Sequence, residues 1–285
     1  MQSIGLILQH AAQRIGRLDA RWLISHVCHF SHAQLLSESN RLLTPDEIHH
    51  INRLVQRRAS GEPLAYILGE TGFFGRMFKV SPAVLVPRPE TEELVERALA
   101  LVAGIPQPRI LDLGTGSGAI AITLALERPD ATLMGIDLSA DALMVARSNA
   151  ARLNARVEWR QGDWFKPLKH EKPFDLIVSN PPYIAVDDPH LDGDGVCVEP
   201  RLALTDSGDG LNCLRIIIDG AHAFLTDGGC LLVEHGFDQG EACRNLFTLA
   251  GFQDASTRVD LSGNDRMTGA AFNPKNRRGH LSRIK

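Results

Sequence analysis

Asn180-Pro181-Pro182-Tyr183 closes an apolar run, residues 174–179, and makes both a poor helix and a poor central strand. Proline has no N–H and a fixed φ, so the turn is stiff, poor in donors, and leaves carbonyl oxygens free to accept hydrogen bonds. It sets an amide on one side and an aromatic ring on the other. A second constellation, Asp112-Leu113-Gly114-Thr115-Gly116-Ser117-Gly118, falls between a predicted strand and a predicted helix. Glycines at such a place let the backbone turn tightly and approach a ligand closely at the carboxyl end of a sheet. A loop of this kind also serves dinucleotides, or packing alone. The dinucleotide fingerprint is G-x-G-x-x-G, whereas the glycines here stand at 114, 116 and 118.

Asp137 ends the next strand about 20 residues on, where an acid accepts hydrogen bonds from two ribose hydroxyls. Its other reading is an N-cap for the following helix, a duty Ser139 could take instead. The loop and the acid together point to an adenosine-containing cofactor without saying which. Gly162-Asp163-Trp164 closes a third strand. Its acid can accept from an adenine amino group and its indole offers a face for stacking. Taken alone, it reads as a surface turn with a partly buried Trp.

The elements that carry these turns alternate. Strands are expected at 109–113, 131–136, 157–160, 174–179 and 230–233, with helices at 119–126, 140–153 and 214–225. Such alternation makes an α/β domain with a mostly parallel sheet covered on both faces, and the last 35 residues can add an antiparallel pair. Upstream, the first 60 residues read as a helical bundle. Ile4, Ile7, Leu8, Ala11, Ala12 and Ile15 share one face, and Asp19 is placed to cap a helix carrying Trp22, Leu23 and Val27. Thr44-Pro45-Asp46-Glu47 starts another helix, ended by Ser60-Gly61. Between 62 and 92, short β-like pieces at 73–80 and 83–86 are separated by Gly and Pro. The division that follows is a helical domain at 1–70, a β-hairpin linker at 71–90 and an α/β domain at 91–285.

Composition narrows the function classes. A chain of 285 residues with a formal charge of −4 has no strongly basic field to hold long nucleic acid. Five scattered cysteines without a C-x-x-C pair suggest reduced thiols and neither a disulfide framework nor a zinc site. No window is apolar enough for a membrane span, and the N-terminal segment lacks a leader pattern, so a cytoplasmic protein is expected. His26, His29 and His32, and the pair His49-His50, are set aside as helix-surface residues, and no metal is expected. Arg88 and Glu90 read either as substrate-orienting groups or as part of a proline-stiffened helix start. The tail from Lys275 to Lys285, with six basic side chains, reads as solvated, with weak electrostatic contact to RNA as the other option.

Four ligand-facing features at successive strand ends resemble the S-adenosylmethionine-dependent methyltransferases that modify planar amino or amide nitrogens. Upstream, Gly61-Glu62-Pro63-Leu64-Ala65-Tyr66-Ile67-Leu68-Gly69, Phe73-Phe74-Gly75 and Val84-Leu85-Val86-Pro87-Arg88-Pro89-Glu90-Thr91-Glu92 are similar to the release factor glutamine methyltransferases, as is Glu199-Pro200 followed by Ala203-Leu204. The resemblance implies a class I methyltransferase fold with a Rossmann-like, seven-stranded sheet and a small N-terminal helical domain that docks the substrate. It implies S-adenosyl-L-methionine held by Gly114, Thr115, Gly116, Ser117, Gly118, Asp137, Asp163, Trp164 and Asn180. It implies that Asn180, Pro181, Pro182 and Tyr183 bind the glutamine amide of the Gly-Gly-Gln motif in peptide chain release factors, with Asn180, Pro181 and Tyr183 catalytic. Asn180 and the Pro181 carbonyl accept the two amide N–H bonds, and Tyr183 packs on the amide plane.

By the same resemblance the partners are release factors in translation termination. Neither a membrane nor sequence-specific nucleic-acid binding is expected, and the state is a monomer. The proline turn alone says only "planar nitrogen", which amides and adenines share. A ribosomal-protein glutamine methyltransferase and, more remotely, an adenine-N6 nucleic-acid methyltransferase are therefore the alternatives. A non-catalytic cofactor-binding or docking protein is the reading from another class.

Overall fold

The computed structural model describes residues 2–193 and 195–273. The basic tail discussed above lies outside them. Two compact units result: one gathers the chain up to Glu70 together with Asp192–Val198, the other runs over Thr71–Leu191 and from Glu199 onward.

The first unit holds α1 (Ile4–Ile15), α2 (Arg17–Cys28), α3 (His32–Ser37), α4 (Pro45–Ala59) and the short α5 (Leu64–Leu68). Ile4, Ile7, Leu23, Ile24, Ile51 and Leu54 form its core. Thr44 opens α4 as a capping box, its hydroxyl accepting from the Glu47 N–H while the Glu47 carboxylate accepts from the Thr44 N–H, with Pro45 at the first helical position. Asp19 does not cap α2. That helix starts after Gly16, and Asp19 in its first turn pairs with Arg58 at 2.7 Å instead. A distant guanidinium outcompetes a local capping geometry here.

A hairpin follows, β1 (Glu70–Phe73) and β2 (Arg76–Lys79), all of it but Glu70 in the second unit. Its two turn residues both have positive φ, Phe74 at 48° and Gly75 at 71°, as a two-residue turn of this handedness demands. No strand forms over 83–86. The segment lies between Pro82 and Pro87, and its donors go to non-strand partners: Ala83 to the Ser81 hydroxyl, Val84 to the Ser81 carbonyl and Val86 to the Glu199 carboxylate.

Then follow α6 (Glu90–Val102), β3 (Arg109–Leu113), α7 (Ala119–Glu127), β4 (Thr132–Asp137), α8 (Ala140–Leu153), β5 (Glu158–Gln161) and β6 (Phe174–Ser179). The chain continues through α9 (Arg201–Leu204), α10 (Asn212–Ala221), β7 (Leu225–Glu234), α11 (Gly240–Leu249), β8 (Ser256–Val259) and β9 (Asp265–Ala271). The helix expected at 214–225 ends at Ala221, and Leu225 already opens β7.

The sheet has seven strands in the order β5-β4-β3-β6-β7-β9-β8. The first five are parallel, and β9 runs antiparallel to both β7 and β8. Alternate strand residues feed two cores. Ile110, Leu133, Leu176 and Val178 pack with α6, α7 and α8 on one face. Leu111, Leu113, Ile177 and Leu231 pack with α10 and α11 on the other. Burial on both faces explains why these strands read as continuous apolar runs. Among the described residues no helix is long and apolar enough to cross a membrane.

Candidate active site

Chain order reverses beside β3, where β4 and β5 lie to one side and β6 and β7 to the other. Crevices at such a switch point, beyond the carboxyl ends of the strands, are where α/β sheets bind ligands. Leu113 of β3 is in register with Ser179 of β6, so Gly114 and Asn180 leave the sheet side by side. The backbone of Gly114 is left-handed, with φ of 72°. A Cβ there would stand 3.6 Å from the Trp164 ring and 4.0 Å from the Asn180 carbonyl. Trp164 also has positive φ, 48°, a conformation that turns its indole in over the loop at a cost in backbone strain.

Backbone bonds shape the glycine loop. Gly114 and Thr115 N–H both donate to the Ile136 carbonyl, and Gly118 N–H donates to that of Thr115. Asp137 takes Gly116 N–H on one carboxylate oxygen and Ser139 N–H on the other, each at 2.8 Å. Ser139 itself caps α8, which leaves Asp137 free of that duty. A carboxylate has about four lone-pair sites, so two remain on Asp137 for a ligand's hydroxyls. Burial pushes its carboxyl up, against the lowering by these N–H bonds.

Asp112 lies fully buried beneath the loop. One oxygen accepts from the Thr115 hydroxyl at 2.5 Å and from Ala121 N–H, and the other has no partner. Burial raises its carboxyl to about 7. Asn149, also fully buried, donates to the Ser117 carbonyl and clasps Lys79 through both its N–H and its C=O, tying the hairpin to the loop.

On the other side, Asn180 Nδ2 donates to Thr91 Oγ1 at 3.1 Å, and Thr91 Oγ1 donates to Glu234 Oε2 at 2.8 Å. The Tyr183 hydroxyl donates to Glu234 Oε1 at 3.2 Å, and Gln239 Nε2 donates to the Tyr183 carbonyl. Glu234 ends β7 and is 1% exposed. Its burial raises the carboxyl to about 7, while the bond from Thr91 and the charge of Arg266 act the other way. Burial also raises the Tyr183 phenol, which stays protonated as a donor. Asn180 Oδ1 has no hydrogen bond among the described residues.

These parts surround a cavity of about 300 Å³. Gly114, Thr115, Gly116, Ser117, Asp137, Asp163, Trp164, Asn180 and Pro182 line it. Gly118, Pro181 and Tyr183 do not. Gly118 serves packing: with φ of 81° it starts α7, and a Cβ there would lie 2.8 Å from Ile122 and 3.0 Å from the Trp159 ring. The Asp163 carboxylate is shared with Lys166 at 2.6 Å. Arg88 also lines the cavity and pairs with the buried Glu199, whose other oxygen holds Val86 N–H. Among the described residues no group of three or more His, Cys, Asp or Glu side chains could hold a metal ion. Thr91, Asn149 and Glu234 were missed by the sequence reading. Only Glu234 gave a signal, an acid at the end of an apolar strand, the pattern that singles out Asp137.

Residues 106–253 match the family model for a methyltransferase domain, and residues 3–69 match the one for a PrmC N-terminal domain. A release factor glutamine methyltransferase of Neisseria gonorrhoeae is 49% identical over 90% of this chain and 93% of its own. One from Burkholderia pseudomallei is 46% identical over the same shares. The chain belongs to the release factor glutamine methyltransferases. Its α/β unit has the class I methyltransferase fold of this family. A Thermus thermophilus 16S rRNA N2 G1207 methyltransferase, solved with AdoMet and guanosine, superposes with a TM-score of 0.54 at 20% identity, over 71% of this chain and 49% of that one. A methyltransferase of Pyrococcus furiosus does so at 0.52 and 16%, over 71% and 91%.

Proposed function

We propose that this protein transfers the methyl group of S-adenosylmethionine to the side-chain amide nitrogen of the Gly-Gly-Gln glutamine in peptide chain release factors. The observation that carries this reading is the state of Asn180. Its N–H₂ edge is committed to Thr91, and its carbonyl oxygen is left without a partner beside the cavity. An amide nitrogen carries N–H donors, and an unengaged acceptor on a stiff turn suits it.

The cavity fits the cofactor. Gly114 and Gly116 are left-handed glycines at its wall, Asp137 keeps lone pairs for ribose hydroxyls, and the Trp164 indole lies against Gly114 as a stacking face for adenine. Asp163 is placed to accept from the adenine amino group while paired with Lys166. Asp112 does not line the cavity; it braces the loop from beneath through the Thr115 hydroxyl and Ala121 N–H. When bound, S-adenosylmethionine supplies a methyl group on a positively charged sulfur.

The chain's own residues then hold the acceptor. An amide nitrogen is a weak nucleophile because its lone pair is delocalised, so orientation and polarising acceptors are the levers available. Asn180 Oδ1 receives one of its N–H bonds; Pro181 does not line the cavity, so its carbonyl is assigned the second N–H by the family resemblance and not by the cavity wall. Tyr183 does not line the cavity, so its contribution is assigned to holding the turn through its hydroxyl on Glu234 and its carbonyl on Gln239. Methylation makes the nitrogen acidic, and a proton then leaves it to water.

The helical residues 1–70 serve as the docking domain for the protein substrate, with 71–90 as linker and 91–285 as the catalytic domain. Exposed Leu18, Trp22, Leu36 and Leu42 give the helical part apolar surface for such a partner. An activity on release factors belongs in the cytoplasm and calls for no nucleic-acid contact. Labelled cofactor offered with a release factor, a ribosomal protein and adenine-containing DNA side by side tests the reading. Label is expected on the Gly-Gly-Gln glutamine. Label elsewhere, with that glutamine unmodified, overturns it.

A further inference from the structure

We propose that Thr91 and Glu234 are positioning residues that decide which way round the Asn180 amide stands, and so whether the turn offers the substrate an acceptor or a donor. This rests on the reading of Asn180 as the partner of the glutamine N–H. The two ends of a carboxamide have nearly the same shape, so packing cannot tell them apart and hydrogen-bond polarity must. An ionised carboxylate accepts only. Glu234 Oε2 therefore takes the one hydroxyl proton of Thr91. What Thr91 Oγ1 then shows to Asn180, 3.1 Å away, is lone pairs, and the N–H₂ edge is the end of Asn180 that can answer them. Oδ1 is left for the substrate. An inverted amide would set N–H against N–H and remove the polarising acceptor.

The chain of bonds runs Asn180 to Thr91 to Glu234, with Tyr183 holding the second carboxylate oxygen. It spans three elements, the β6 turn, the start of α6 and the end of β7. Nothing in the transfer itself uses Glu234, which lies buried behind Thr91. The polarity depends on its charge. A protonated Glu234 can donate to Thr91 Oγ1, which frees the Thr91 proton to point at Asn180 and inverts the chain. The groups acting on Glu234 are Thr91 and the Tyr183 hydroxyl, which donate to it, Arg266, which favours its charge, and Glu90, which opposes it. Arg266 is held in turn by Asp260 at 3.1 Å.

Thr91→Val removes the hydroxyl at constant shape, Thr91→Ser keeps it, and Glu234→Gln keeps the shape without the charge. For each, kcat and KM are measured on a full-length release factor across pH 5.5–9 (about 25 °C), with binding of the factor to enzyme saturated with S-adenosylhomocysteine as a readout free of turnover. Thr91→Val is expected to lower kcat/KM by about 10- to 100-fold and to weaken factor binding, with cofactor affinity within about 2-fold of wild type. Thr91→Ser is expected to restore both to within about 3-fold. Glu234→Gln is expected to be slow throughout and to lack the wild-type rise in rate towards alkaline pH.

Equal defects in Thr91→Ser and Thr91→Val, or wild-type kinetics in Thr91→Val, overturn the proposal. If Thr91→Val does not melt cooperatively, the pH profile of Glu234→Gln decides, and a retained limb overturns it. A wild type that leaves the release factor unlabelled overturns the underlying function. A wild type that labels it, beside an insensitive Thr91, overturns this inference alone.

Discussion

The two sides of the cavity are built by different means. On the cofactor side, Gly114 and Thr115 hang on the carbonyl of Ile136 in the neighbouring strand, and Asp137 reaches Gly116 across 21 positions. On the acceptor side, Asn180 is held from 89 positions away by Thr91, Tyr183 from 51 by Glu234, and Thr91 itself from 143 by Glu234. One side is a cradle of backbone N–H and C=O groups gathered around the Asp137 carboxylate. The other is a relay of side chains whose polarity must be right at every link. Fold neighbours with 16–20% identity share the sheet that carries the first. In the proposed function the second is the side that selects the acceptor.

The sharpest break in this comparison is Asn180→Ala. It deletes the acceptor that the relay exists to aim, and leaves the glycine loop and Asp137 untouched. Turnover on the release factor is expected to fall about 100- to 1000-fold, the scale of losing one preorganised polar partner in a transition state. Cofactor affinity, measured by calorimetry, is expected to stay within about 3-fold. Comparable losses in both would mean that the two sides are not separate devices.

Asp137→Ala is the converse and a smaller change. It removes the lone pairs offered to the ribose and also strands Gly116 N–H and Ser139 N–H, which now donate to it. Cofactor affinity is expected to weaken about 10- to 100-fold, while kcat at saturating cofactor changes little. A fall in kcat with unchanged affinity would assign Asp137 to the acceptor side instead.

The same division explains what could be read from the sequence. The wall assigned to the cofactor was legible as a cavity wall because its residues sit in contiguous turns at strand ends: Gly114, Gly116, Asp137 and Asp163-Trp164 all line the cavity. Strand alternation and apolar runs gave the sheet and its layers, down to the antiparallel pair beyond β7. Half of the acceptor side was legible too, in the proline turn. Thr91 was not, because a threonine in the first turn of a helix looks like any other until the fold brings Glu234 to it. Asn149, mid-helix in α8, is silent for the same reason. Gly118 belongs to the same glycine run but does not line the cavity, and its missing side chain makes room for Ile122 and Trp159. Asp19 and the segment 83–86 misled where a distant partner, Arg58 or Glu199, claimed groups that local rules had assigned nearby.

The smallest expected effect bears on what the relay costs the fold. Glu234 has a folded-state carboxyl raised to about 7 from an ordinary 4.5, with burial as the main cause. A raised carboxylate pKa means that the folded protein binds this proton more tightly than the unfolded chain does. The group's contribution therefore favours folding most at low pH, declines as pH climbs from 4.5 towards 7, and stands at its full unfavourable value above 7. Glutamine at 234 has no such titration. The melting temperature of Glu234→Gln relative to wild type is thus expected to rise between pH 5 and pH 8 by a few degrees, and to level off beyond (about 2–4 °C for each kcal/mol in a chain of this size). The slope of this difference is the test, since lost hydrogen bonds shift both ends alike. Asp112, also raised to about 7, titrates in both proteins and cancels. So does His235, whose imidazole burial pushes below its ordinary pKa and which is bonded to Gly236 and Thr268. A variant that gains stability above neutral pH while losing control of Asn180 would show that the buried charge is kept for orienting the amide and at the expense of the fold. A flat difference would mean that Glu234 carries its charge at no cost, and the polarity of the relay would then be indifferent to pH in this range.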